Sequence, residues 1–318
     1  MSETSRIGAA IDIGSNSVHL LVAEVVDGRP RSVHEESVLL GLGAVVDLEG
    51  RIPDDEAVVA VDAITDYLDA AVDEGAEWIT ILATEPLRRA SNRTRFAAAV
   101  EAATGRPLHV LSHEEEAELT LLGVLGGEPP DEPILVLDIG GGSSEIVLLE
   151  KDADPVVGVM PVGSARLTAA HVEDDPPTAD EIAALRAEAH NLLSGMPAGR
   201  PSRGIVVGGS GTNLIRLTAG EADDEDEEDN IIDRSRIDEA IAIVAASPSA
   251  QLVDTYGLRE RRIVQMAAGA SLIEATLDCY ALDSMEASDA SLREGAIIAW
   301  AAAGSSWRDE ISSLVSGT

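Results

Sequence analysis

A short motif occurs twice in this chain, and that repeat restricts the fold more than any other feature. The first copy is Asp12-Ile13-Gly14-Ser15-Asn16-Ser17, and the second, 138 − 12 = 126 residues later, is Asp138-Ile139-Gly140-Gly141-Gly142-Ser143. Each copy lies between two apolar segments with strand character. A repeat on the scale of a domain predicts two related half-domains that face each other across a cleft.

The first half of the chain alternates between strand and helix patterns. Runs rich in Val, Ile and Leu that end at turn residues predict strands, and apolar residues at helical spacing predict helices. The predicted strands are Ile7 to Ile13, Ser17 to Val26, a third after the Asp27-Gly28 turn, Trp78 to Ala83 and Leu108 to Leu111. The predicted helices begin at Pro53, at about Asn92 and at about His113. This half is therefore βββαβαβα, an α/β arrangement.

A stretch rich in Gly and Pro, Gly126 to Pro133, separates the two halves and predicts domains at 1–128 and 129–318. The second domain has its own strand and helix patterns. The predicted strands are Ile134 to Asp138, Ser144 to Leu149, Gly204 to Val207 and Ser284 to Ala287, and the clearest helices are Thr178 to Leu193 and Leu292 to Ala302. The end of this domain is mainly helical. The almost wholly acidic run from Glu221 to Asp229 predicts an exposed loop.

The charge balance indicates the solvent in which the protein works. Asp and Glu number 58 against 22 Lys and Arg, so the formal net charge is −36, and Lys151 is the only lysine. The carboxylates are spread along amphipathic segments as well as in one run, which predicts an ordered acidic surface. Such a surface suits a salty, halophilic cytoplasm, where self-repulsion is screened, better than it suits a basic partner.

Composition excludes several classes of protein. Aromatic residues make up only 2% of the chain, too few for a platform that stacks nucleic-acid bases, and no DNA or RNA duplex is expected as a partner. Cys279 is the only cysteine, so neither an internal disulfide nor a cysteine-based zinc cluster can form. The longest apolar run, Ala296 to Ala303, is far below the roughly 20 residues of a membrane span. With no leader pattern at its start, the chain is expected to be cytoplasmic and not bound to a membrane.

Three turns rich in Gly and Ser each follow an apolar strand, and they predict phosphate binding. The turns are Gly14 to Ser17, Gly140 to Ser144 and Gly208 to Thr212. Glycine lets the backbone approach a phosphate, and successive N–H groups in such a turn attract anions. The third turn also precedes a helix, predicted from Asn213 onward, whose N-terminus favours phosphate. The candidate phosphate-binding residues are Ser15, Asn16, Gly141, Gly142, Ser143, Gly209, Ser210 and Gly211.

Carboxylates beside two of these turns are candidate metal ligands. Asp12 and Asp138 end their strands, and Glu145 lies on the strand that follows the second turn. Asp138 and Glu145 are predicted to share one metal ion, because carboxylates hold Mg²⁺ against substrate phosphates. For Asp12 two interpretations stay open: a metal ligand, or a carboxylate that caps its own turn.

Two further segments offer catalytic groups. Arg88 and Arg89 follow a predicted strand, and we expect Arg88 to bind phosphate while Arg89 forms a surface ion pair. The segment His113-Glu114-Glu115-Glu116 opens a helix. Acidic residues at that position complement the helix dipole, which explains Glu114 and Glu115, but one of the three can also be a general base. His113 is expected to be exposed and not to bind metal.

Together these segments resemble the exopolyphosphatase and guanosine pentaphosphate phosphohydrolase family of the actin-like ATPase and sugar-kinase superfamily. The matching stretches cover nearly the whole chain in the family's order: Ala10 to Leu21, Ala83 to Asn92, Leu111 to Val124, Leu137 to Val147, Val207 to Thr212 and Ser288 to Gly295. The resemblance implies two actin-like, or ribonuclease H-like, half-domains with the active site in the cleft between them.

The resemblance also implies roles for individual residues. Glu116 matches the glutamate that is proposed to activate the attacking water, and Glu145 matches a glutamate implicated in catalysis and, with Asp138, in metal binding. Arg88 matches a phosphate-binding arginine. The expected cofactor is Mg²⁺ or another divalent cation such as Mn²⁺, the expected substrate is inorganic polyphosphate or guanosine pentaphosphate, and a homodimer is implied.

Two features depart from the family's pattern. His113 stands beside the position where many members have glycine before the acidic pair. The chain also resembles the short, two-domain members, which leaves processive degradation of long polyphosphate in doubt. Two other functions stay open: a small-molecule kinase of the same superfamily, which would need an adenosine pocket, and a non-catalytic sensor of a phosphorylated nucleotide. Retention of Glu116, Asp138 and Glu145 argues against the sensor.

Overall fold

The structure, a computed structural model, describes residues 6–128, 130–151, 153–219 and 230–316. The acidic loop predicted at 221–229 lies outside the described residues. Contacts divide the chain into two compact units, Met1–Pro129 with Ala290–Thr318, and Pro130–Asp289. Each unit is built on one mixed β-sheet, which confirms the α/β class.

The strands form two sheets. The first unit holds a sheet with the order β3-β2-β1-β4-β5, and the second unit a sheet with the order β10-β11-β9-β6-β7-β8. The strands are β1 (Arg6–Ile13), β2 (Ser17–Val26), β3 (Arg29–Leu39), β4 (Trp78–Ala83), β5 (Leu108–Val110), β6 (Ile134–Ile139), β7 (Ser144–Leu149), β8 (Val156–Met160), β9 (Arg203–Val207), β10 (Ile231–Asp233) and β11 (Ser284–Ser288).

Helices connect and cover the strands. They are α1 (Leu42–Glu49), α2 (Asp54–Asp73), α3 (Glu85–Arg89), α4 (Arg93–Thr104), α5 (His113–Leu125), α6 (Ser164–His171), α7 (Ala179–Leu193), α8 (Gly209–Thr218), α9 (Arg234–Ala246), α10 (Ser249–Tyr256), α11 (Glu260–Val264), α12 (Met266–Tyr280), α13 (Leu292–Ala303) and α14 (Ile311–Ser316), with a 3-10 turn at Gly304–Ser306. None of the described helices is both long and apolar enough to cross a membrane.

The repeat seen in the sequence is also present in the backbone. In both units the first three strands pair as an antiparallel meander, β1-β2-β3 and β6-β7-β8. The N–H of Gly14 donates to the carbonyl of Ser17 at 3.0 Å, and 126 residues later the N–H of Gly140 donates to the carbonyl of Ser143, also at 3.0 Å. The two turns are therefore built alike.

Aliphatic side chains form the core of each unit. In the first unit Ile11, Leu20 and Ile64 pack together, and in the second Leu137 and Leu272 belong to another cluster, all with no exposed surface. Consecutive residues of β2 and β7 are apolar and buried, such as Leu20 to Ala23 and Ile146 to Leu149, as expected where both faces of a sheet are covered. With so few aromatic residues in the chain, a core built of Val, Ile, Leu and Ala is expected.

The C-terminal segment differs from the prediction, because residues 290–318 belong to the first unit and not to the second. Helix α13 packs against α5 and β1. The approach is close: a Cβ added at Gly295 would lie 1.8 Å from the carbonyl oxygen of Leu119, and one added at Gly123 would lie 2.3 Å from that of Ser291. This backbone contact between α5 and α13 is a tertiary interaction that local patterns do not encode.

Candidate active site

In the first unit the parallel strands bring three predicted segments to one edge of the sheet. The end of β1 pairs with the end of β4 through Ile13 and Ala83, and Ala83 pairs with Val110 at the end of β5. The carboxyl ends of parallel strands share an edge, where ligands commonly bind in α/β sheets. The Gly14–Ser17 turn, helix α3 and the start of α5 therefore lie side by side.

Arg88 and Glu116, both predicted to be catalytic, are in direct contact at this edge. Nη1 of Arg88 lies 2.5 Å from a carboxylate oxygen of Glu116 and also donates to the carbonyl of Leu111 at 3.1 Å. Their side chains are only 14% and 10% exposed. A charge-assisted hydrogen bond so shielded from water holds both groups in place.

His113 completes this cluster. Its Nδ1 lies 3.0 Å from Nη2 of Arg88, and since a guanidinium only donates, Nδ1 must be the acceptor and the ring neutral. Burial, and then the charge of Arg88, lower the pKa of His113. The sequence predicts an exposed histidine, but this side chain is half-buried because it closes over the arginine.

The helix that carries Glu116 is capped by its neighbours. The hydroxyl of Ser112 accepts from the N–H of Glu115 at 3.1 Å, and the carboxylate of Glu115 accepts from the N–H of Ser112 at 2.8 Å. Glu114 is exposed in the same first turn. These positions confirm that Glu114 and Glu115 complement the start of the helix, whereas Glu116 points inward and is buried.

The first glycine turn is held from two sides. The carbonyl of Ser15 accepts from the N–H of Gly43, and that of Asn16 accepts from the N–H groups of Leu40 and Gly41. The hydroxyl of Ser15 donates to Glu85 at 2.9 Å. Because these carbonyls are hydrogen-bonded toward the start of α1, the backbone amides of the turn face the opposite side. This orientation suits phosphate binding. Asp12 ends β1 beside this turn and is partly buried.

In the second unit Asp138 and Glu145 face each other across neighbouring strands. They are direct partners in the antiparallel pairing of β6 with β7, so their side chains leave the same face of the sheet. Glu145 is 1% exposed. Gly208 lies beside them with φ of 90°, and a Cβ there would lie 3.4 Å from Oδ1 of Asp138. The predicted pair is therefore brought together next to two glycine turns.

The second glycine turn directs its carbonyls toward α6. The carbonyl of Gly140 accepts from the N–H of Ser164, and that of Gly141 accepts from the N–H groups of Ala165 and Arg166. Nη1 of Arg166 donates to the carbonyl of Gly142 at 2.6 Å. Within the described residues no acceptor is bonded to the N–H of Gly141 or Gly142. Two backbone amides without an acceptor suit an anionic ligand. Ser143, the last of the residues predicted here, is buried.

The third turn begins a helix earlier than the sequence indicates. Helix α8 starts at Gly209 and not at Asn213, with Gly208 as its N-cap. Gly209, Ser210 and Gly211 thus form its first turn, where N–H groups have no helical acceptor. A Cβ at Gly211 would lie 2.9 Å from Cγ1 of Val206, so this glycine lets the helix pack closely on β9.

Comparison with known proteins identifies the family to which this chain belongs. The profile of the Ppx/GppA phosphatase family matches residues 21–303. The chain belongs to this family. Exopolyphosphatase 1 of Mycobacterium tuberculosis is 30% identical over 303 residues, which cover 92% of this chain and 87% of that protein. A crystal structure of the Aquifex aeolicus Ppx/GppA family member superimposes with a TM-score of 0.82 at 26% identity and covers 94% of this chain and 98% of that one.

A second solved structure supports the fold alone. The exopolyphosphatase from Cytophaga hutchinsonii superimposes with a TM-score of 0.81 at 22% identity and covers 92% of this chain and 96% of that one. These matches confirm the family resemblance and the actin-like fold of two α/β units. Membership in a family of phosphatases favours a hydrolase over a small-molecule kinase.

The sequence analysis of this Ppx/GppA family member did not predict Arg262 as a candidate site residue. The guanidinium of Arg262 lies against Gly209, where an added Cβ would be 2.7 Å from Nη1. Burial, and then the charges of Arg259 and Arg261, lower its pKa. Among the described residues no carboxylate pairs with it, although the chain is so acidic. A shielded cation without a carboxylate beside the start of α8 is suited to an anionic ligand.

Two other residues were also missed. Glu85, 4% exposed, accepts from the hydroxyl of Ser15 and from Nη1 of Arg89, and Arg89 also pairs with Asp47. These contacts confirm the ion pair predicted for Arg89. His19 pairs with Asp12 across β1 and β2 as Glu145 pairs with Asp138, so the 126-residue repeat alone could have revealed it.

Proposed function

We propose that this protein releases terminal orthophosphate from inorganic polyphosphate, from guanosine pentaphosphate, or from both. Membership in the Ppx/GppA phosphatase family supports hydrolysis of a phosphoric anhydride. The observation that carries the proposal is the shielded contact between Arg88 and Glu116 at the carboxyl edge of the first sheet. When water attacks a phosphoryl group, a carboxylate can accept the proton of the water and a guanidinium can balance the charge of the phosphoryl oxygens.

In this mechanism Glu116 takes a proton from water as the water oxygen forms a bond to the terminal phosphorus. The bridging P–O bond breaks, and its electron pair stays on the shortened chain. Arg88 balances negative charge on the phosphoryl oxygens. Phosphoryl transfer depends on positioning and charge neutralisation, and the contacts of Arg88 with Leu111 and His113 restrict both side chains before substrate binds.

The residues of the second unit fit a divalent metal ion. Asp138 and Glu145 are opposite each other and offer carboxylate oxygens, the ligands that Mg²⁺ and Mn²⁺ accept. Asp12, near the end of β1 in the first unit, is proposed separately as a metal ligand. When bound, the ion would neutralise charge on the substrate phosphates.

The remaining phosphates are proposed to bind to backbone amides and to one further cation. The candidates are Ser15 and Asn16 of the first turn, Gly141, Gly142 and Ser143 of the second, and Gly209, Ser210 and Gly211 of the third. Arg262 adds a positive charge beside Gly209. We further propose that the enzyme works in a cytoplasm of high salt, as its charge of −36 suggests, and that it forms the homodimer that its resemblance implies.

The test is phosphate release by the purified protein with Mg²⁺ in molar KCl. Short polyphosphate, long polyphosphate, guanosine pentaphosphate and ATP are offered in parallel. We expect release from polyphosphate or from the pentaphosphate, and a loss of about 100-fold or more in kcat for Glu116→Gln, which cannot accept the proton. Glu114→Gln is the matched control, because Glu114 occupies the same helical turn but is exposed.

Each outcome decides part of the proposal. Release from one substrate class identifies it, and dependence on chelator and added metal tests the ion. Full activity of Glu116→Gln would remove Glu116 from the mechanism. Absence of release from every substrate, with polyphosphate or nucleotide still bound in calorimetry, would replace the hydrolase with a sensor.

A further inference from the structure

The C-terminal segment of the first unit binds the helix that carries Glu116, α5, through Arg308. Nε of Arg308 donates to one carboxylate oxygen of Glu115 at 2.5 Å, and Nη2 donates to the other at 2.9 Å. Nη2 also donates to the carbonyl of Val110 at 3.1 Å. The guanidinium therefore ties the end of β5 to the first turn of α5, with two parallel bonds to one carboxylate.

The carboxylate that Arg308 holds is the one that caps the helix. The same Oε2 of Glu115 accepts from the N–H of Ser112 at 2.8 Å. Glu116, the next residue, donates its N–H to the carbonyl of Ser112 at 3.1 Å. The position of Glu116 thus depends on the turn that Ser112 and Glu115 close, and Arg308 restrains that turn from outside.

The segment around Arg308 is itself anchored. Trp307 is 5% exposed and packs edge-on against Trp78 and His109, with ring centroids 5.8 and 5.9 Å apart. One helical turn further along α5, the hydroxyl of Ser312 lies 2.9 and 3.0 Å from the carboxylate oxygens of Glu118. The Trp307 contacts fix the segment to β4 and β5, and the Ser312 contact ties it to α5, so Arg308 lies between an anchor on the sheet and one on the helix.

We propose that Arg308 is a positioning residue that acts through Glu115 to fix the orientation of Glu116. The inference rests on the proposed function, since it assumes that Glu116 activates water. The Arg308 and Glu115 side chains are 35% and 25% exposed, so the contact is partly shielded from solvent. A reacting group displaced by about 1 Å can lose about 100-fold in rate, and loss of this contact frees the turn beside Glu116.

The first test is the kinetics of Arg308→Gln. We expect kcat to fall about 10-fold or more while KM stays within about twofold, because Arg308 does not touch the substrate. Glu115→Gln should give a similar loss, and the double variant should be no worse than the poorer single one, since both changes break the same contact. Arg203→Gln is the matched control: it removes another two-bond contact, with Glu286, and should leave kcat unchanged.

The second test is independent of activity and separates this inference from the proposed function. Hydrogen exchange is measured at the amides of Ser112, Glu115 and Glu116, which should exchange about 10-fold faster or more in Arg308→Gln and at the parent rate in Arg203→Gln. If the parent protein hydrolyses nothing, the proposed function fails and these amides still decide whether Arg308 orders the turn. Unchanged exchange, or unchanged kcat in an active enzyme, would overturn the inference. Should Arg308→Gln not fold, Arg308→Lys, which keeps one charged contact, should give an intermediate loss of kcat, and parental kcat in that variant would count against the role.

Discussion

At the scale of single residues, two arginines differ in how well the sequence predicts that they belong to the candidate site. Arg88 follows a strand end and precedes a turn, a position that predicts contact with a ligand. Arg262 lies in a run with Arg259 and Arg261, which is typical of an exposed helix. Only the tertiary structure shows that Arg262 is the one of the three that lies against Gly209.

The setting of Arg262 leads to an unusual pair of expected effects. Removing a shielded cation that has no carboxylate partner relieves the cost of its burial, so Arg262→Gln should unfold with a free energy equal to or higher than that of the parent. The same change should raise KM for polyphosphate about 10-fold or more, because a hydrogen bond between charged groups contributes about 1.5–3 kcal/mol. Denaturant unfolding and steady-state kinetics measure the two effects.

A matched variant separates these effects from the loss of any arginine. Arg203 is paired with Glu286, so Arg203→Gln should lower the free energy of unfolding by up to about 1 kcal/mol and leave KM unchanged. A destabilised Arg262→Gln with parental KM would show that Arg262 serves the fold and not the substrate.

At the scale of helices and strands, local sequence patterns predict the longer elements, whereas the features that they miss depend on short segments or on tertiary contacts. The repeated turns, strands β1, β2, β3, β6 and β7, and helices α2, α4, α5, α7 and α13 agree with the sequence because each carries a clear local pattern. Strand β8, which completes the second meander, was not predicted. Helices α1 and α3, with eight and five residues, make about two turns or fewer, which is too short for apolar residues at helical spacing to recur clearly. The placement of α13 on the first unit depends on glycine contacts between distant segments, which no local window contains.

The same limit applies to the candidate site. Asp138 and Glu145 could be paired from the sequence because a short turn joins their strands. The contact of Arg88 with Glu116 follows from strand order, which the sequence does not specify. The bonds that direct the carbonyls of the glycine turns toward α1 and α6 arise from tertiary packing, so only the presence of the turns was predictable.

Two histidines, His109 of β5 and His113 at the start of α5, should make stability depend on pH. Burial, and then Arg308, lower the pKa of His109, and burial, and then Arg88, lower that of His113. Below the ordinary pKa of 6.5 the unfolded chain binds protons that these folded histidines do not, so their contribution to stability is lost as pH falls through that region. The variant His109→Gln/His113→Gln should therefore lose less free energy of unfolding than the parent between pH 7 and pH 5.

Nuclear magnetic resonance titration of the two imidazoles gives the direct check. Both pKa values should lie below 6.5, and Arg308→Gln should raise that of His109 while that of His113, which faces Arg88, stays in place. Values at or above 6.5 for both rings, or an equal slope of stability against pH in parent and variant, would contradict this account.

At the scale of the whole molecule, acidity dominates the surface electrostatics. Arginines of both units form ion pairs, such as Arg95 with Asp54 and Arg203 with Glu286, but 22 cations cannot neutralise 58 carboxylates. The excess is visible on α2, where Asp62, Asp66 and Asp69 are exposed on one face. None of the described arginines pairs with these three carboxylates.

Salt should therefore stabilise this protein through screening, and α2 provides the test. Like charges three and four residues apart on a helix each cost about 0.2–0.5 kcal/mol, so Asp62→Asn/Asp66→Asn/Asp69→Asn should be more stable than the parent in 0.1 M KCl. At molar KCl the Debye length falls from about 10 Å to about 3 Å, and the advantage of the variant should disappear. A neutral osmolyte such as sucrose favours the compact state without screening charge, so the difference should persist there. An advantage that survived in molar KCl would mean that repulsion between carboxylates is not what limits the stability of this protein in dilute salt.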